Sequence, residues 1–75
     1  MNTNRRKRLR EIIQRLQNIR SDIELVRDEE DTARDNMPEN LQESERYTVS
    51  EEASDAMDSA IDYLDEARSV IEEVI

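Results

Sequence analysis

From Leu9 onward the apolar residues fall at Leu9, Ile12, Leu16, Ile19, Ile23 and Val26. Alternating steps of three and four make the seam of a helix packed in coiled-coil fashion. With Leu9 as heptad position a, the a position after Ile23 is Glu30, followed by Ala33 at d and Met37 at a, so the stripe thins toward its end. Ile13 and Leu25 lie off the seam and widen the apolar face, as a bundle helix needs and a two-stranded zipper does not. A second seam runs through Ala53, Met57, Ala60, Leu64, Ala67, Ile71 and Val74, flanked by Ala56, Ile61, Tyr63, Val70 and Ile75. Its small Ala knobs, facing the larger Ile and Leu of the first helix, let two axes approach closely.

Between residues 36 and 49 the heptad lapses around the one proline, Pro38. Asn36 followed by Pro38 and Glu39 predicts the end of one helix and a fresh helical start, with Asn36 as its cap and Glu39 reaching back. Thr48 with Glu51 repeats the capping-box spacing and predicts the start of the second long helix near Ser50. Leu41, Tyr47 and Val49 are expected to close the hairpin end. The fold predicted is all-α: helix 1 over about 4–35, a short helical connector over 36–49 and helix 2 over about 50–75. At about 1.5 Å per residue the two helices run to roughly 48 Å and 39 Å. The absence of Gly agrees, because strand hairpins and phosphate-cradling loops both lean on left-handed positions that Gly fills most easily.

Composition adds a demand for a partner. A chain of 75 residues with 35% hydrophobic content buries little core by itself. With no Cys and no His, neither disulfides nor a zinc site can supply the deficit. Association remains, and two antiparallel hairpins dimerising into a four-helix bundle is the architecture expected, with Leu9, Ile12, Leu16, Ile19, Ile23, Val26, Met57, Ile61, Leu64 and Ile71 as the self-association residues. No apolar run approaches the roughly 20 residues of a membrane span, and no apolar signal region follows the opening charges, so a cytoplasmic protein without membrane insertion is expected.

Charge is segregated. Residues 1–20 carry Arg5, Arg6, Lys7, Arg8, Arg10, Arg15 and Arg20 against Glu11 alone, which leaves the rest of a chain of net charge −9 strongly acidic. Folding antiparallel brings that basic start beside Asp62, Asp65, Glu66, Glu72 and Glu73, and pairing there is one expectation for it. Bases at a helix N-terminus oppose the macrodipole, so the neighbouring helix would have to offset that cost. The run from Arg5 to Arg10 also has the look of a nucleic-acid patch, yet no aromatic residue lies near it to stack on bases. The connector end collects acids from Asp28 to Glu52, which suggests either a solvated surface or a carboxylate rod imitating duplex phosphates.

Catalysis and metal binding have little to work with. Ser and Thr lack a His base, Lys7 is the lone lysine, and Asp28-Glu29-Glu30-Asp31-Thr32-Ala33 has Ala33 where a calcium loop needs Gly. No catalytic residue, metal or cofactor is therefore expected. Glu30, at a seam position, is expected either to pair with an Arg such as Arg34 or Arg46 or to mark where the seam frays.

The strings Arg27-Asp28-Glu29-Glu30, Asp35-Asn36-Met37-Pro38-Glu39-Asn40-Leu41-Gln42-Glu43-Ser44-Glu45-Arg46 and Met57-Asp58-Ser59-Ala60-Ile61-Asp62-Tyr63-Leu64-Asp65-Glu66-Ala67 together resemble a family of small acidic helical-hairpin proteins from Gram-positive bacteria and their phages. The resemblance implies a self-associating accessory protein and carries over no biochemical role. The leading functional expectation is a non-catalytic protein-binding module that meets a host or phage protein through Glu29, Glu30, Pro38, Glu39, Leu41, Glu43, Glu45, Arg46 and Tyr47. The alternatives are an acidic mimic that blocks a nucleic-acid-binding enzyme, and a structural bundle subunit whose basic N-terminus contacts nucleic acid or membrane.

Overall fold

The computed structural model describes residues 1–75 as two long antiparallel helices, α1 over Thr3–Asp35 and α2 over Glu45–Glu72, in a rod of 59 × 15 × 11 Å. Asn2 caps α1, its Oδ1 accepting the Arg5 backbone N–H at 2.8 Å. That bond satisfies one of the four donors a helix start leaves open. No residue has positive φ, so a chain without Gly makes the turn at no steric cost.

The connector differs from expectation in two places. Asn36 ends α1 and starts nothing: its N–H donates to Thr32 O at 3.1 Å, and Pro38 follows in extended backbone at φ −58°, ψ 147°. A residue two before a proline has no continuing helix to cap. After Pro38 comes a single 3-10 turn, Glu39–Leu41. The second difference is the start of α2, which lies at Glu45 and not near Ser50. Ser44 is its cap, accepting the Tyr47 N–H at 3.3 Å, while its hydroxyl donates back to Leu41 O at 2.5 Å. Thr48, the expected cap, sits inside the helix and donates to Ser44 O at 3.4 Å. Starting a turn earlier carries Tyr47 to the same helical line as Ser50 and Ser54, where it is half-buried. At the other end α2 stops at Glu72, short of the expected Ile75.

The seam between the helices also departs from the most apolar line. On α1 the line of protected positions includes Leu9, Ile13, Leu16, Arg20, Ile23, Arg27, Glu30 and Arg34, continued beyond its end by Met37. On α2 it includes Tyr47, Ser50, Ser54, Met57, Ile61, Leu64, Arg68 and Ile71, continued beyond its end by Ile75, with Ile12, Asp31, Ala53, Ala60 and Asp65 half-buried alongside. Both lines keep coiled-coil spacing. Relative to expectation, Ile13 joins the seam, Arg20 and Arg27 are protected where Ile19 and Val26 are exposed, Ile12 stays half-buried, and Ile61 moves from flank to centre. The reason is that each helix has an apolar arc wider than one partner covers, and the side that adds cross-helix ion pairs is the side that closes. Only Ile13 and Ile61 are buried apolar residues, and neither is wholly sealed from solvent.

Candidate interaction surfaces

One flank of the seam is a polar ladder. Arg20 Nε donates to Asp65 Oδ1 at 2.6 Å, and the same guanidinium pairs with Glu24. Arg27 Nη1 donates to Asp58 Oδ1 at 2.7 Å. Arg34 Nη1 reaches Ser54 Oγ at 2.8 Å and the Ser50 carbonyl at 3.1 Å, while its Nη2 donates to Asp31 at 2.8 Å. Each step of seven along α1 thus moves the partner about seven residues back along α2, which fixes an antiparallel register. The arginine stems cover apolar surface while their heads stay at the edge.

The Arg34 rung is the best connected. Ser54 Oγ donates to Asp31 Oδ1 at 2.6 Å, so Asp31, Ser54 and Arg34 close a small cycle over the buried Ser50 and Ser54. The Ser54 hydroxyl first, and the Arg34 guanidinium next, hold the Asp31 carboxyl below its ordinary value of 3.8. Asp58 and Asp28 raise Arg27, and Asp31 raises Arg34, further above their already high values. A carboxyl depressed on folding contributes stability that is present above its unfolded value and lost as pH falls through the folded one. Asp31→Asn should therefore lower stability at neutral pH and flatten the further loss on acidification to about pH 3. Thermal melts of both proteins across that range check this; an equal loss in both would remove Asp31 from the acid response.

The opposite flank is apolar and open. Ile19 is 47% exposed and Val26 54%, and with Ile23, Ala56, Met57 and Ala60 they line a shallow groove across both helices, bordered by Asp22. Farther along α2, Tyr63 and Val70 are exposed at helical spacing from Ala56 and Ala60, and Val74 is exposed just past the helix end. Thus Ile19 and Val26 lie exposed beside the intrachain seam and Ile12 is half-buried at its edge, whereas Leu9, Leu16, Ile23, Met57, Ile61, Leu64 and Ile71 lie in it.

Of the expected partner-binding residues, Glu29, Pro38, Glu39, Leu41, Glu43, Glu45 and Arg46 are exposed, and Glu30 and Tyr47 are half-buried. They do not converge on one pocket. Glu30 makes no ion pair; Arg34 takes Asp31 and the two serines, and Arg46 stays unpaired. The expected pairing of the basic start with the end of α2 reduces to Arg20 with Asp65, since Arg5, Arg6, Lys7, Arg8, Arg10 and Arg15 make no ion pair. The register explains the first four: extended past Arg20 and Asp65, it sets Leu9 level with Ile75, so Arg5, Arg6, Lys7 and Arg8 lie beyond α2, while Arg10 and Arg15 are exposed alongside it. Arg68, a seam residue missed in the sequence, keeps a covered Nε without a hydrogen-bond partner, with Glu72 Oε1 4.0 Å away.

No cluster of three His, Cys, Asp or Glu side chains is arranged to hold a metal ion, and neither helix is long and apolar enough to cross a membrane. No protein-family model, curated protein or solved structure matches the chain.

Proposed function

We propose that the protein is a non-catalytic interaction module whose working surface is the open apolar flank, and that its first occupant is a second copy, giving a four-helix bundle. The observation that carries this reading is the imbalance between what the hairpin buries and what it exposes: Ile13 and Ile61 inside, against Ile19, Val26, Tyr63, Val70 and Val74 outside. A contiguous apolar strip rimmed by charges marks an interaction surface. A second hairpin is suited to it, because small Ala residues on α2 and branched residues on α1 interdigitate across a bundle core.

In this reading exposed acids of the connector end, Asp28, Asp35, Glu39 and Glu43, are left to meet a basic protein surface. That fits the role of a cytoplasmic phage-type accessory, and Leu41, at the same end, supplies an apolar contact. Nothing in the side-chain inventory calls for catalysis. Sedimentation equilibrium at micromolar concentration should give twice the chain mass of 8.9 kDa. A cooperative folded monomer at that concentration would overturn the proposal.

A further inference from the structure

We infer that the second copy docks antiparallel, with the α1 helices of the two copies side by side about a two-fold axis near Ile19. This rests on the apolar flank being a self-association surface and adds the orientation, which the border charges carry.

Arg8, Arg15, Asp22 and Glu29 are spaced by seven and form one line along α1, next to the line of Ile12, Ile19 and Val26. Asp22 borders the groove that Ile19 and Val26 line, and Arg8 lines a second hollow together with Ile12. All four charges are exposed and none has a side-chain partner within the chain, unlike Arg20, Arg27 and Arg34 on the opposite flank. Their order is base, base, acid, acid.

Such a line is self-complementary when it meets its own copy running the other way. With the axis near Ile19, Arg15 faces Asp22 of the second copy and Arg8 faces Glu29, while Ile12 faces Val26 and Ile19 faces itself. A two-fold axis repeats each charge contact, so four ion pairs close over an apolar strip. The other face-to-face arrangement sets α1 beside the second copy's α2. There the bordering line is Glu52, Ser59, Glu66 and Glu73, all exposed and without a base, so Asp22 and Glu29 would meet carboxylates. Beside α2 only the Arg8 and Arg15 half of the α1 line is complementary and the Asp22 and Glu29 half is opposed by like charge, whereas against its own antiparallel copy every charge of the α1 line is paired. The acidic line of α2 then meets its own copy, and Arg5 to Arg8 come level with Glu29, Glu30, Asp31 and Thr32 of the second copy.

Two double variants test the orientation. Arg8→Glu with Arg15→Glu makes the border line wholly acidic, and Asp22→Arg with Glu29→Arg makes it wholly basic. Each turns four attractive contacts into four repulsive ones, so each should self-associate at least about tenfold more weakly than the unaltered protein, and mixing the two should restore the dimer. The basic-line variant associating as tightly as the unaltered protein, or more tightly, would overturn the inference, since that is the result expected if α1 lies against the acidic border of α2. An independent measurement uses the absence of cysteine: Ile19→Cys, oxidised mildly, should cross-link as a dimer, and no cross-link in a chain that still sediments as a dimer would overturn the orientation. If the unaltered protein is a monomer, the self-association reading itself fails, and that outcome is separate from the other two.

Discussion

Truncating Ile61 to Ala is expected to destabilise the protein by roughly 2–5 kcal/mol, the range for removing a large aliphatic side chain from a packed core. Ile61 is 4% exposed and, with Ile13, one of the two buried apolar residues. For a chain of 75 residues such a loss approaches the whole of an ordinary folding free energy, which at about 0.05–0.15 kcal/mol per residue is of order 4–11 kcal/mol. Val49→Ala, at an exposed position of the same helix, should cost no more than about 0.5 kcal/mol. Urea titrations followed by circular dichroism, run at one protein concentration because association adds to stability, measure both. Equal effects at the two positions would mean that Ile61 is not the centre of the fold.

The second large effect concerns the outer face. In the proposed dimer Ile19→Asp should weaken association by on the order of 3 kcal/mol, about a hundredfold in dissociation constant, because it would bury an unpaired carboxylate at the proposed two-fold axis. Sedimentation should then show the single-chain mass at micromolar concentration. Leu41→Ala, in the connector, should leave the dimer mass unchanged. An Ile19→Asp protein that still sediments at twice 8.9 kDa would place the association surface elsewhere.

The helical hairpin was legible because two heptad stripes flank one proline and no Gly interrupts them. Which side of each stripe closes on the other was harder to see. Apolarity alone favours Ile12, Ile19 and Val26 as the inner line, yet Ile19 and Val26 are exposed on one flank, and Arg20 and Arg27 are drawn in along the other. A readable signal did exist: Arg20 and Arg27 are spaced by seven, as are Asp58 and Asp65, so the two rows match when one is reversed. The helix start at Ser44 was missed for a different reason. Thr48 and Glu51 satisfy the local capping pattern, but placing Tyr47 against the seam is a tertiary effect that a local pattern does not contain. The candidate site fared less well than the fold, because acidity marks a surface without saying what meets it, whereas an open apolar flank emerges only once the inner seam is known.

The ladder of arginines has a consequence for how the chain finds its shape. Its rungs join residues 16 and 20 apart at Arg34, 31 apart at Arg27 and 45 apart at Arg20. Because closure entropy grows only with the logarithm of loop length, the shortest loop is the least costly to form first, and each later rung then closes a small increment against structure already in place. The polar cycle around Arg34 thus stands where a zipper would be started. The charged rows repeat every seven residues and would tolerate a one-heptad slip, so it is the short connector, by setting where the first tooth engages, that selects the register.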